Sequence, residues 1–145
     1  MTAVIGIDHG SRRIGLAVGS EKTGQAFARP ALQLRDEAGD LAQIAALAHA
    51  EGTSRIVLGL PRNMDGSEGP QATAVRSFGE RLRAIGLEVT LVDERLTSWE
   101  AGERLKATGR TPSRASGERD SAAARLILQE YLDARAAQAR QQETR

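Results

Sequence analysis

The chain has 145 residues, Lys+Arg 20 against Asp+Glu 19, a formal net charge of +1, and 40% hydrophobic and 27% charged residues. That length fits one domain, which buries roughly 68–70% of its unfolded surface, and the composition is globular rather than disordered. With no cysteine, disulfide scaffolds, thiolate-held zinc, iron–sulfur clusters and thiol nucleophiles are excluded.

The opening Met1-Thr2-Ala3-Val4-Ile5 reaches Asp8 too early for a signal-peptide core. No apolar run approaches the ~18 residues of a membrane span, so the chain reads as a soluble, cytoplasmic protein. Only Lys22 and Lys106 are lysines; every other basic residue is Arg. Genomic composition explains the bulk count as well as phosphate recognition does. Local clustering says more. Arg104, Lys106, Arg110, Arg114 and Arg119 share a Gly-, Thr-, Pro- and Ser-rich stretch with a single acid, Glu118. It reads as a basic loop able to meet a polyanion.

In chain order, Val4–Ile7 and Ile14–Val18 flank the turn-rich Gly10-Ser11-Arg12-Arg13 and predict a β-hairpin. Residues 26–34 supply a third strand, which Pro30 assigns to an edge. Asp40 is the expected N-cap of a helix carrying Leu41, Ile44, Ala45, Leu47 and Ala48, stopped by Gly52. Arg55–Leu60, apolar on both faces and ended by Pro61, suits a central parallel strand. Residues 63–70 are loop chemistry. Ala74, Val75, Phe78, Leu82 and Ile85 then mark a helix closed by Gly86, and 88–92 form the next strand. A short helix from Ser98 to about Ala107, the basic loop, and a last helix from about Ser116 to Leu132 follow, with a polar tail over 136–145 expected to fray.

The order β-β-β-α-β-α-β-α gives an antiparallel meander extended by parallel strands with right-handed crossovers. The expected fold is α/β, a mixed five-stranded sheet with helices on both faces, in one domain over 1–135.

Asp8 ends the first strand and Glu94 the last. Asp120 precedes Ala124, Ile127 and Tyr131 at helical spacing, so it faces the sheet. Functional groups of such sheets gather beyond the carboxyl ends of parallel strands. Three converging carboxylates repel unless a cation neutralises them, and an oxygen-only ligand set favours Mg²⁺ or Mn²⁺. Two such ions are the usual apparatus for attack of water on a phosphodiester. Each acid alone has an ordinary explanation: Asp8 as a turn residue, Glu94 as a capping acid, Asp120 as a first-turn acid favoured by the helix dipole. Asp93 competes with Glu94, since alternation sends them to opposite faces and periodicity does not decide between them. Asp8 and Glu94 also start about two strand spacings apart, roughly 9–10 Å.

Arg12, Arg13 and Arg95 flank these acids as candidate phosphate contacts, and Arg62, Asn63, Arg110 and Arg114 are further substrate-binding candidates. The 61–69 loop reads equally as plain strand-to-helix connection. Gly59 leaves room there for substrate backbone, and Ser67 or Gly69 caps the next helix, whose free N–H groups favour phosphate. Aromatic content is 3%, which argues against a base-stacking platform; Trp99 reads more readily as a core anchor than as a base-stacking residue.

The segments GIDHGSRRIGLAVG (6–19), IVLGLPRNMDGSEGP (56–70), VDERLTSWEA (92–101) and RDSAAARLILQEYLD (119–133) resemble the YqgF family, also called RuvX. That family comprises pre-16S rRNA nuclease and Holliday junction resolvase-like proteins of the RNase H-like superfamily. The resemblance spans the whole domain. It implies a metal-dependent nuclease whose catalytic, metal-binding acids fall on Asp8, Glu94 and Asp120, favouring Glu94 over Asp93. It also implies a role in maturing the 5′ end of 16S rRNA, with nucleic acid (pre-rRNA, or branched or single-stranded DNA) as partner and a monomer or homodimer as the working form. His9 departs from the family, which more often has an apolar residue or Pro there; it reads as an exposed turn histidine rather than a ligand. The rivals are cleavage of DNA junctions, which calls for a two-fold dimer, and a non-catalytic nucleic-acid-binding assembly module. An actin-like phosphotransfer fold shares the Asp8-x-Gly10-Ser11 turn but needs two such domains.

Overall fold

The computed structural model describes residues 3–94 and 118–143. Its elements are β1 (Ala3–His9), β2 (Arg13–Ser20), β3 (Gln25–Gln33), α1 (Glu37–Ala50), β4 (Arg55–Leu60), α2 (Pro70–Ala84), β5 (Glu88–Asp93) and α3 (Glu118–Glu143). The five strands form one sheet in the order β3-β2-β1-β4-β5. β1, β2 and β3 make the antiparallel meander, while β4 runs parallel to β1 and β5 parallel to β4. The expected short helix at 98–107, the basic loop, and Arg95, Arg110 and Arg114 lie outside the described residues.

Alternation along the strands sorts side chains into two cores. Ile5, Ile7, Ile14, Leu16, Ile56, Leu58 and Leu60 face α1 and α2, where they meet Ile44, Ala48, Val75, Phe78 and Leu82. Val4, Ala17, Ala26 and Val57 face α3 and meet Ala124, Ile127, Leu128 and Leu132. β1 and β4 are buried on both faces, which explains their unbroken apolar runs.

The α3 face is lined by small residues, and the helix lies close as a result. A Cβ on Gly15 would stand 2.1 Å from the Asp120 carbonyl oxygen and 2.9 Å from Ser121 N. Ser121, buried beside this contact, donates from Oγ to the Arg29 carbonyl at 2.7 Å. Gln129 extends the attachment, donating to Gly24 O at 2.7 Å and accepting from Ala26 N at 3.0 Å. The first turns of α3 are therefore fixed against β2 and β3.

Two boundaries differ from expectation. α1 is capped by Asp36, whose side chain accepts from Gly39 N, and Asp40 sits buried inside the first turn. Gly39 had masked that turn, because it breaks the apolar rhythm without stopping a helix. Gly52, at φ +66°, does end α1 as expected. α3 runs to Glu143 rather than ending near Leu132 with a frayed tail. Ala136, Ala137, Gln138, Ala139 and Arg140 are all good helix formers, and they propagate a helix already nucleated on the sheet.

The Gly15 contact can be tested directly. Gly15→Ala should lose about 3 kcal/mol or more of unfolding free energy through backbone overlap, where Gly69→Ala, which meets nothing within 4 Å, should change it by under about 1 kcal/mol; urea denaturation of both variants measures the difference.

Candidate active site

Asp8 sits on β1 opposite Gly15 of β2 and shares the α3 face with Val4 and Gly6. Glu94 follows β5, and its N–H donates to the Leu60 carbonyl at 3.2 Å, which prolongs the β4–β5 pairing by one residue. Two positions after Val92, it faces α3 as well. Asp93 alternates to the α1/α2 face, following Leu91. The choice that periodicity left open falls to Glu94 on geometric grounds.

The strand separating the two acids is crossed at Gly59. A Cβ on Gly59 would lie 2.5 Å from Glu94 Oε2 and 2.6 Å from Ile127 Cδ1. Glu94 therefore folds back over the bare backbone of β4, and its carboxyl hydrogen-bonds that of Asp8. The space expected to admit substrate backbone is filled instead by this carboxyl. Only a residue without a side chain at position 59 allows the approach.

Glu94 is 8% exposed, and its Oε2 has no hydrogen-bond partner. Burial, then the Asp8 charge and hydrogen bond, pushes its carboxyl up to about 9. Burial, with the charge of Asp120 adding to it, pushes Asp8 up to about 6 although its hydrogen bond to Glu94 pulls the other way. Two buried carboxyls in contact cannot both ionise without a counter-charge, so the pair retains a proton more tightly than free carboxyls do.

Asp120 enters from α3 over Gly15, next to Asp8. It pairs with Arg13, Nε to Oδ2 at 3.3 Å, and its side chain is 29% exposed. Two of the three expected acids are thus in contact, while the third stands at the rim with its charge answered by an arginine. Among the described residues, no group of three His, Cys, Asp or Glu side chains is gathered closely enough to hold a metal ion. The Asp8–Glu94 pair nevertheless suits a hard cation: both donors are oxygens, one buried oxygen lacks a partner, and the shared proton stands where positive charge is needed.

Other expected site residues separate. Arg12 is exposed at the β1–β2 turn, where its carbonyl accepts from Leu34 N. Arg13 faces Asp120 rather than open solvent. Arg62 lies 3.8 Å from Glu68, and the Asn63 amide donates within its own loop to Ser67 Oγ at 2.9 Å. Gly69 rather than Ser67 caps α2, with Pro70 at its first turn and no side-chain bond to its free N–H groups. His9 is not an exposed turn residue. It lies at the end of β1 on the α1/α2 face, its ring 4.5 Å from that of Phe78, and burial holds its imidazole below the usual value. It faces away from the carboxyl pair. The residues that sequence reading undervalued are Gly15 and Gly59; isolated glycines inside strand patterns signal close approach, but not of what.

Proton linkage gives a testable sign. The folded protein holds the Glu94 proton more tightly than an unfolded chain, in which Glu titrates near 4.5. The stability this adds is complete below that value and is lost as pH rises through about 9. In chelator, melting temperature should fall from mildly acid to alkaline pH, and Glu94→Gln should flatten the fall; Mg²⁺ affinity of the native chain should rise over the same range, measured by calorimetry.

Comparison with known proteins identifies the family and the fold. The family model described as "RuvX: Holliday junction resolvase" matches residues 2–134. A protein of Anaeromyxobacter dehalogenans named "Putative pre-16S rRNA nuclease" is 48% identical over 133 residues, covering 91% of this chain and 97% of that one. A relative of the same name from Synechococcus is 47% identical, covering 90% and 89%. Among solved structures, Thermus thermophilus RuvC in complex with a Holliday junction substrate superposes with a TM-score of 0.55 at 14% identity, covering 94% of this chain and 96% of that one. The large terminase nuclease of phage G20c superposes with a TM-score of 0.55 at 16% identity, covering 90% and 81%. These likenesses bear out the RNase H-like fold, and the chain belongs to the RuvX family.

Proposed function

We propose that this protein is a divalent-metal-dependent nuclease that hydrolyses phosphodiester bonds in the 5′ region of pre-16S rRNA. The reading rests on the carboxyl pair: two acids from separate strands are brought into contact across Gly59, hold a proton in place of a cation, and keep one buried oxygen unpartnered. Strongly shifted carboxyls gathered at a sheet end mark a functional-site candidate. The names of the RuvX relatives support pre-16S rRNA as the substrate, and a precursor of ribosomal RNA fits a cytoplasmic protein.

Asp8 and Glu94 would hold Mg²⁺ or Mn²⁺, with Asp120 as a third donor at the rim. When bound, such ions activate water and neutralise charge at the phosphate. The chain's own groups supply the rest. Arg13 fixes Asp120 and, lying beside the pair, can turn to a phosphate as Asp120 turns to a cation. Arg12 offers an exposed guanidinium at the same edge, and the uncapped N–H groups at the start of α2 offer a further anion site. Arg62 adds a further guanidinium in the loop after β4, and Arg95, Arg110 and Arg114 stay substrate-binding candidates on sequence grounds. Catalysis here is positioning and charge stabilisation, with no covalent intermediate on the protein.

A second reading, cleavage of four-way DNA junctions, is favoured by the description of the family itself and requires a two-fold homodimer. Both are tested by offering precursor 16S RNA and a four-way junction to the native protein, Asp8→Asn and Glu94→Gln. Either substitution should lower cleavage on the order of 10³-fold or more while leaving binding intact, and chelator should do the same. Equal cutting by native protein and Asp8→Asn points to a contaminating nuclease and contradicts the nuclease reading.

A further inference from the structure

The 61–69 loop leaves β4 just beyond Leu60, whose carbonyl accepts the Glu94 N–H. It is braced from within. Asn63 N–H donates to Ser67 O and Gly66 N–H to Asn63 O, both at 2.8 Å. The side chains repeat the closure: Asn63 Nδ2 donates to Ser67 Oγ at 2.9 Å, and Asp65 Oδ1 accepts from Ser67 N at 2.9 Å and from Ser67 Oγ at 2.6 Å. Glu68 then ties the loop to α2 through a two-point pair with Arg76, at 2.7 and 2.8 Å.

All of this polar bracing holds out one apolar side chain. Met64, within the turn that these bonds close, is 76% exposed, more than Phe27 or Ile85. A stiff loop presents its tip with little ordering cost on binding. Thioether side chains adapt to irregular apolar surfaces, and proteins that handle nucleic acid insert Met, Leu, Ile or Phe between base steps, at a cost of a few kcal/mol per unstacked step. With only 3% aromatic residues in the chain, an aliphatic wedge is a fitting means of engaging bases.

We infer that Met64, held out by the braced 61–69 loop at the sheet edge that carries Asp8 and Glu94, inserts between stacked bases next to the phosphodiester presented to that pair. This rests on the nuclease reading for the identity of that bond, but not for the contact itself. Such a wedge would open the strand at one step and set which phosphate reaches the acids.

The test reads binding rather than cleavage. RNA spanning the precursor 5′ end carries 2-aminopurine at successive positions, and is bound in Mg²⁺ by Asp8→Asn protein with Met64 intact, with Met64→Ala or with Met64→Leu. Intact Met64 should brighten one position severalfold, as unstacking does. Met64→Ala should abolish that rise and weaken binding about tenfold, the scale of one lost base contact, while Met64→Leu keeps both. Melting temperature should not change, because the side chain is exposed. If no position brightens with Met64 present, or Met64→Ala brightens it equally, the wedge is overturned. A shift in self-association alone, seen by sedimentation, would overturn it too and make Met64 a protein contact. Brightening without any cleavage by the native chain would sink the nuclease reading and leave the wedge standing.

Discussion

Two carboxyl groups confined between a sheet and a helix cannot both be charged without a counter-charge, and that constraint organises one end of this molecule. Asp8 and Glu94 come from strands separated by β4, and their contact exists because Gly59 presents no side chain to obstruct it. Water is largely excluded from Glu94, so burial itself disfavours its charged form, the nearby charge of Asp8 adds to that, and a proton is retained well above the ordinary range. A divalent cation relieves the same strain more completely than a proton does. The proton retained by the pair marks the place where positive charge is needed.

The helix that closes the site depends on the same absence of bulk. Gly15 and the neighbouring small residues of β1 and β2 let α3 lie on the sheet, and Ser121 and Gln129 lock it to the backbone of β3 at Arg29 and Ala26. Asp120 is delivered next to Asp8 by that docking rather than by any feature of its own turn. Its pairing with Arg13 keeps the third acid close while leaving the buried pair to set the local chemistry.

Much of this was legible in the sequence. The strand and helix order, the central position of Arg55–Leu60 and the edge position of the Pro30 strand follow from apolar periodicity and from proline. The sheet-facing stripe of α3 follows from the spacing of Asp120, Ala124, Ile127 and Tyr131. The segments around Asp8, Glu94 and Asp120 carried the family resemblance. What could not be read was contact between residues distant in sequence. Alternation places Asp93 and Glu94 on opposite faces but does not say which face α3 covers; the strand spacing suggests a gap between Asp8 and Glu94 that only a tertiary arrangement over Gly59 closes. The bonds of Asn63 within its own loop are invisible in sequence, and His9 looked exposed because Phe78 lies far along the chain. The last helix outran its expected end because propensity alone sufficed once packing had started it.

The carboxyl pair can be observed without substrate or cleavage. Carbon-13 NMR titration of the Asp8 and Glu94 carboxyls in chelator should show two linked steps, with Glu94 releasing its proton near 9 and moving down toward the ordinary carboxylate range in Asp8→Asn. A Glu94 carboxyl that titrates near 4.5, and does so whether or not Asp8 is present, would mean that the two acids do not meet.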